Sequence, residues 1–484
     1  MSSHRTALVW FRRDLRLADN PALLFAHANA SRILPIFIYS PEEEGSWPPG
    51  AASRWWLHHS LLSLSSSLEQ RGSRLVLQRG DTLATLRALI KTSGATLVTW
   101  NRLYEPASIA RDKRIKAALA EDGFEVASHN AALLIEPWTL HNAQGQPYRV
   151  FTPFWRLAET RLSAIPAPAP APKRLDNPDT AGQGTGMRTV CLNELELLPR
   201  IAWDTGLAAN WTPGEAGALR QLQQFSNAAS DYELLRNRPD RPGTSRLSPY
   251  LHFGELGPRQ ILAQLQIGGA TAAAENSLAT FRRELGWREF AHHLLFHFPQ
   301  TAEQPMDPRF NELRWRDDTG LLRAWQLGQT GYPIVDAGMR ELWHTGWMHN
   351  RVRMIVASLL TKNLQTHWLK GARWFWDTLV DADLANNSLG WQWTAGCGAD
   401  AAPYYRIFNP VLQAEKFDPQ RTYIRRWVPQ LAALPDKWIV QPWAAPAEVL
   451  AAAKVELGKT YPLPIVDLKH SRAAALAAYT ATRE

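Results

Sequence analysis

The densest chemistry in the chain lies at 381–393, Asp381-Ala-Asp-Leu-Ala-Asn-Asn-Ser-Leu-Gly-Trp-Gln-Trp393. It holds two carboxylates, two carboxamides and two indoles, with no interleaved Lys or Arg to suggest plain ion-pair cancellation. Carboxylates can accept hydrogen bonds from a sugar-alcohol chain or a ring N–H. An Asn amide such as Asn387 can meet a ring nitrogen whose protonation changes with redox state. The ordinary alternative is an irregular, Asn-capped loop.

Three further segments carry smaller constellations. In Gly243-Thr-Ser-Arg-Leu-Ser-Pro-Tyr250, Thr244, Ser245 and Ser248 offer hydroxyls and Arg246 a charge, ahead of an expected helix. Hydroxyls and free N–H groups at a helix start suit a phosphate, and they equally suit ordinary capping. In Phe281–Phe290 the helical spacing places Glu284, Trp287, Arg288 and Ala291 on one face. That face could stack and hydrogen-bond a flat heterocycle, or be a packed Trp with a surface ion pair. In Thr345–Met354, Asn350 and Met354 share a face that makes an adaptable, partly polar lining, with Arg351 and Arg353 expected to project elsewhere. Arg236, Arg238, Arg241, Arg351, Arg406, Arg425 and Arg426, with aromatics between them, could meet a phosphate backbone and exposed bases. For any single Arg, a solvated surface is the plainer reading.

These residues need two kinds of scaffold. The first part alternates strand-like runs (7–11, 33–39, 75–77, 96–100, 124–127) with helix-like stretches (20–30, 52–71, 82–92, 108–121). That alternation predicts a doubly wound parallel α/β domain over 1–134. Neither GxGxxG nor GxxxxGK[ST] is present, so the common phosphate loops are missing. The Pro/Ala run at 165–173 and the Gly/Asp/Thr-rich stretch to about 186 predict a connector over 135–205. From 206 to 484 helical periodicity dominates, at 214–229, 258–266, 275–298, 321–326, 337–343 and 348–364, predicting an all-helical domain.

The chain has 484 residues, 53 Lys+Arg against 45 Asp+Glu, and a net charge of +8, which permits an anionic partner without demanding one. Two cysteines and no CxxC or HExxH support neither a disulfide framework, zinc nor an iron–sulfur cluster. No apolar run is long enough to span a membrane. A cytoplasmic, metal-free protein is expected. The 22 Trp exceed what packing usually demands; indole is oxidisable, so a chain of indoles can relay an electron.

Taken together and in this order, VWFRRDLR (9–16), GTSRLSPYL (243–251), ELGWREF (284–290), TGYPIVDAGMRELWHTGWMHNRVRM (330–354), DADLANN with GWQW (381–393) and RIFNP (406–410) resemble the photolyase/cryptochrome family over nearly the whole chain. The likeness is greatest to class I cyclobutane pyrimidine dimer photolyases. Asn350 stands where pyrimidine(6-4)pyrimidone enzymes have a second His. Asn387 stands where plant cryptochromes have Asp and animal ones Cys.

The resemblance implies blue-light repair of DNA by electron transfer from excited FADH⁻, a carbon–carbon lyase reaction. FAD would be held by Tyr232, Thr244, Ser245, Arg246, Leu247, Ser248, Arg353, Asp381, Asp383 and Asn387. The dimer would meet Glu284, Trp287, Arg288, Asn350, Met354 and Trp393, and DNA phosphates Arg236, Arg351 and Arg406. Glu284 is expected to be buried, and if protonated in the lesion complex it could stabilise the dimer's radical anion. Trp391, Trp368 and Trp315 would relay electrons to the flavin. The α/β domain would hold a second, light-harvesting chromophore: Tyr104-Glu105-Pro-Ala-Ser108 lacks the Asn-Glu common in folate-binding members, leaving a deazaflavin, another flavin or none. The partner is ultraviolet-damaged DNA; the protein is expected to be a monomer needing no protein partner. A cryptochrome-like photoreceptor, a (6-4) photolyase and a nicotinamide-using flavoprotein are the competing readings.

Overall fold

A computed structural model of the chain describes residues 5–177, 189–266, 272–401 and 405–482. Part of the Gly-rich stretch expected to be a loop therefore lies outside the described residues.

Five parallel strands, β1 (Thr6–Phe11), β2 (Arg32–Tyr39), β3 (Val76–Arg79), β4 (Leu97–Asn101) and β5 (Glu125–His129), form one sheet in the order β3-β2-β1-β4-β5. β1 is buried along its length, as a strand covered on both faces must be. Pro35 sits opposite Val9 inside β2, yet β3 pairs with β2 only from Ile36 onward. The missing N–H is therefore tolerated.

The crossover helices are α1 (Pro21–Asn29), α2 (Ala51–Glu69), α3 (Thr82–Ser93) and α4 (Pro106–Glu121). Two start on side-chain caps: Asn20 accepts from Leu23 N at 3.1 Å and Asp81 from Ala84 N at 2.8 Å. The strand order reverses between β1 and β4. The carboxyl ends of these strands therefore diverge and open a crevice.

The stretch 135–205 is more than a connector. It contains α5 (Phe151–Thr160), whose Phe154 packs on Phe290 at 5.1 Å between ring centroids. Apolar residues at 151, 154, 155 and 158 are buried, which is helical spacing overlooked beside the Pro/Ala run. The run itself is pinned rather than free, since Asp19 N donates to Ala169 O at 2.8 Å.

The remainder is helical. The elements that position the site are α6 (Ser248–His252), α7 (Ala272–His297), α8 (Asn350–Ser358), α9 (Trp368–Thr378) and α10 (Leu384–Ala395). The helix expected over 348–364 begins two residues later, where His349 Nδ1 accepts from Arg351 N, and ends in a π-turn, Leu359–Asn363.

The two parts are sewn together by buried polar groups. Glu215 accepts from Leu17 N and Ala18 N, both at 2.9 Å. Glu255 accepts from Trp56 Nε1 at 3.1 Å and Gly214 N at 2.6 Å. Burial pushes the Glu255 carboxyl up to about 8, partly offset by these donors. One apolar core runs from Val9 through Trp56 and Trp211 to Phe281. Among the described residues no helix is long and apolar enough to cross a membrane, and no group of three His, Cys, Asp or Glu could hold a metal ion. Cys191 is exposed and Cys397 buried, both free thiols.

Candidate functional site

α6, α7, α8, α10 and the turn before α6 enclose a cavity of about 580 Å³. It gathers the expected cofactor residues, Tyr232, Thr244, Ser245, Arg246, Leu247, Ser248, Arg353, Asp381, Asp383 and Asn387. It also gathers the expected substrate residues Arg236, Glu284, Trp287, Arg288, Asn350, Arg351, Met354 and Trp393, together with Trp391. Segments far apart in the chain thus face one space.

Its floor is charged. Arg353 Nη2 donates to Asp381 Oδ2 at 2.8 Å and Oδ1 at 3.0 Å, and Ser248 Oγ donates to the same Oδ2 at 2.6 Å. Asp383 caps α10, its Oδ1 accepting from Asn386 N at 2.8 Å, so this segment is an ordered helix start rather than an irregular loop. His292 Nε2 stands 3.4 Å and His252 Nδ1 3.8 Å from Asp383 Oδ2. Burial would raise Asp383, but His292 and His252 outweigh it and hold its carboxyl well below the usual range. Burial likewise opposes protonation of His292, and Asp383 overcomes it, so His292 is raised. His252 goes the other way, lowered by burial. Asn387 Nδ2 donates to Ala372 O at 3.0 Å, fixing its amide at the cavity edge.

Arg246 has the positive φ of 53°, and its guanidinium lies 4.2 Å from the centroid of Trp211 and 5.2 Å from that of Trp347. Its charge is spread over two indoles. Burial lowers its pKa, with Glu341 opposing.

The opposite wall is aromatic. Trp287 stacks on Phe151 with ring centroids 3.7 Å apart and planes at 7°. Arg288 does not face outward for a ligand alone; its Nη1 donates to Ala132 O at 2.7 Å, locking α7 to the α/β domain. Ala291, expected on the same face, is core. The burial expected for Glu284 is not met. Its side chain is 29% exposed and pairs with Arg236 Nη2 at 2.5 Å. Arg236, expected at a phosphate, is here the partner of Glu284. Arg351 and Arg353 do not project elsewhere: both line the cavity with Asn350 and Met354, because the helix starts at Asn350 and its first turn opens to the space.

Beside the cavity, Arg351 and Arg406 share a groove of about 700 Å³ with Lys416 and Arg472. Arg351 Nη2 donates to Asn237 Oδ1 at 2.6 Å and its guanidinium lies 4.5 Å from the Phe417 ring. Arg238 and Arg425 pair with Asp240 and Asp436 instead, at 2.6 and 2.8 Å.

Trp391 and Trp368 are fully buried and Trp315 is half-buried. Trp391 lies edge-on to Phe375, centroids 5.0 Å apart, and against Gly371, where an added Cβ would fall 2.1 Å from Trp391 Cη2. Gly371 stands one turn beyond Trp368 on α9.

A second cavity, of about 290 Å³, occupies the crevice at the carboxyl ends of β1, β2 and β4. Trp10, Tyr39, Trp47, Glu105 and Trp376 line it, and His252 lines both cavities. Arg13 Nη2 pairs with Glu105 Oε2 at 2.5 Å. Burial works against the Glu105 carboxylate, but Arg13 outweighs it and lowers its pKa. Trp47 and Trp376 meet edge-on at 5.3 Å. Sequence reasoning put a second chromophore in this domain and singled out 104–108, of which Glu105, Pro106 and Ala107 line the cavity, but it missed the remaining lining residues and it missed His252 and His292. For His292 a signal existed: it stands four residues after Arg288 and follows the Glu284–Trp287–Arg288 face along α7.

A family model described as DNA photolyase matches residues 7–173, and one described as the FAD binding domain of DNA photolyase matches 281–481. The deoxyribodipyrimidine photo-lyase of Agrobacterium fabrum is 50% identical over 479 residues, 99% of this chain and 98% of that protein. The chain belongs to the photolyase/cryptochrome family. A crystal structure of a bacterial class III photolyase from Agrobacterium tumefaciens superposes with a TM-score of 0.94 at 48% identity, covering 100% of this chain and 98% of that one. Cryptochrome-1 of Arabidopsis thaliana is 40% identical over 96% of this chain and 69% of its own. The expected placement in class I thus finds no support among these family members. The α/β and helical architecture is that of the family, and the FAD-binding model spans α8, α9, α10 and most of α7, though not α6 and the turn before it.

That cavity fits FAD on its own terms. It carries a neutralised carboxylate floor at Asp381, hydroxyls at Thr244, Ser245 and Ser248, and a buried His252 Nδ1 without a hydrogen-bond partner.

Proposed function

We propose that this chain is a deoxyribodipyrimidine photo-lyase that repairs cyclobutane pyrimidine dimers in DNA under blue light. One observation carries the reading. A single cavity has the Arg353–Asp381 pair on its floor and indoles Trp287 and Trp393 on its wall, beside the Arg-lined groove.

Reduced FAD, when bound, supplies an electron on excitation and recovers it once the dimer has split. The chain's own residues do the rest. Arg353 and Asp381 would hold the ring system, with Asn387 at its edge and the Thr244–Ser248 turn at its phosphates. Trp287, already braced by Phe151, offers a face on which an extruded base can stack, worth about 1–3 kcal/mol. That offsets the few kcal/mol that extrusion costs, which is least at a damaged site. Glu284 would meet the dimer once Arg236 turns from it to a phosphate. Arg351 and Arg406 supply sequence-independent, salt-dependent attraction.

Within the family we place the chain with class III photolyases, on its 48% identity to one across its full length. We divide it into an α/β domain (1–134), a largely folded connection (135–205) and a helical domain (206–484). We assign the sheet-end cavity to a second chromophore and the protein to the cytoplasm as a monomer.

The decisive experiment is illumination of the flavin-loaded protein with oligothymidine carrying dimers. Recovery of thymine absorbance is expected. A cryptochrome-like photoreceptor, the reading favoured by 40% identity to a plant cryptochrome, would leave the dimers intact.

A further inference from the structure

The relay that the family resemblance implies runs from the buried Trp391 and Trp368 toward half-buried Trp315, and one side chain in contact with its outer members is not an indole. His367 packs on Trp315 with centroids 5.0 Å apart and planes at 60°, and on Trp368 at 5.7 Å and 27°. Three features hold it there. Arg316 N donates to Gln365 O at 2.7 Å, forming with Thr366 an isolated parallel bridge that ties the Trp315 segment to the His367 segment. Lys370 pairs with Asp317, closing the other side. His367 Nδ1 accepts from Leu369 N at 3.1 Å and so caps α9, which fixes the ring.

We propose that His367 bridges the outer step of the relay, its π-system coupling Trp315 to Trp368. This deepens the photolyase reading and rests on it. In the step, the Trp368 indole has lost one electron inward, toward photoexcited oxidised flavin. Trp315 gives up one electron through the imidazole and refills it. The imidazole is neither oxidised nor reduced in net terms, and an external thiol finally reduces Trp315. Burial and Lys370 both lower the His367 pKa, which keeps the ring neutral. A neutral bridge does not oppose the positive charge that forms on Trp315.

The contrast with Trp325 sharpens the assignment. Trp325 also lies near Trp391, at 6.1 Å, but it is fully buried, with its Nε1 donating to Val356 O at 2.9 Å. Its indole has no exposed surface at which an external thiol could reduce it directly.

Two roles of His367 can be separated, because one variant keeps the cap and another keeps the ring. His367→Asn retains a cap acceptor without a π-system; His367→Phe retains the ring without the acceptor. In flavin-loaded protein, transient absorption reads the lifetime and yield of the indole radical, and steady illumination with thiol reads flavin reduction. His367→Asn is expected to melt like the parent but lose long-lived Trp315 radical several-fold. His367→Phe is expected to melt a few degrees lower and keep the parent's radical yield. Parent-like radical yield in His367→Asn would overturn the bridge, as would equal loss in both variants while folded. Trp391→Phe separates the levels. If it abolishes photoreduction while His367→Asn has no effect, only the bridge fails; if it photoreduces like the parent, the relay and the bridge fail together.

Discussion

The larger cavity draws most of its walls from four segments, 244–252, 281–288, 347–354 and 381–394. The sheet-end cavity, which meets it at His252, takes short pieces from strand ends and loops, with Trp10, Tyr39, Trp47 and Glu105 among them, and Trp376 from α9. Their chemistry differs accordingly. The first holds a charged floor facing an aromatic wall. The second is mainly apolar and aromatic, with the ion pairs Arg13–Glu105 and Arg111–Glu44 in its wall. A site packed into short segments announces itself as a motif. One assembled at the ends of parallel strands does not, because each strand or the loop after it contributes only a few residues and the topology chooses which ends converge.

The comparison breaks most readily at the charged floor. Asp381→Ala leaves the mostly buried Arg353 guanidinium without its carboxylate partner. It should cost about 3 kcal/mol and yield protein without the flavin absorption band. Retention of flavin at the parent's stoichiometry would show that the floor does not hold the ring system.

Next comes the wall. Trp287→Ala should weaken binding of dimer-containing DNA by about 1–3 kcal/mol, measured by fluorescence anisotropy against undamaged DNA. Equal weakening for both would assign Trp287 to general affinity rather than to the lesion.

The sheet-end cavity should respond separately. Trp376→Ala removes an aromatic contact worth about 0.5–1.5 kcal/mol. It is expected to lower occupancy by a second chromophore while the flavin spectrum stays intact. Loss of flavin instead would mean that the two cavities are one binding unit.

The smallest expected effect is a pH dependence at their shared wall. Asp383 is depressed, so its stabilising share is complete above the ordinary carboxylate pKa of about 4 and lost as pH falls through its folded value. His292 is raised, so its share is complete below about 6.5 and lost as pH rises through its folded value. Both operate between these limits. Melting temperature should therefore fall less steeply on either side in Asp383→Asn, with an unchanged profile arguing against the pairing.

Reading outward from the residues located much of this. The alternation of short apolar runs with helical stretches was enough for the parallel sheet, and all five strands lie within a few residues of their expected places. What failed was direction and partnership. Arg351 and Arg353 were expected to leave the face of Asn350 and Met354, since helical spacing separates them. At a first helical turn opening onto a cavity, long side chains reach the space from several positions. Glu284 looked buried beside Trp287, but Arg236, 48 residues earlier, meets it at the cavity's rim. The helix Phe151–Thr160 was hidden by the Pro/Ala run that follows it.

By itself the sequence determined the elements, the family, and the residue types available for holding a flavin and an opened base step. Those follow from local periodicity and from motifs whose members are covalent neighbours. Tertiary structure alone decided which carboxylates would be paired, that His252 and His292 would converge on Asp383, and that a second cavity would open at the sheet's end. Pairing, desolvation and cavity shape depend on distances across the fold, and those exist only once segments far apart in the chain have packed together.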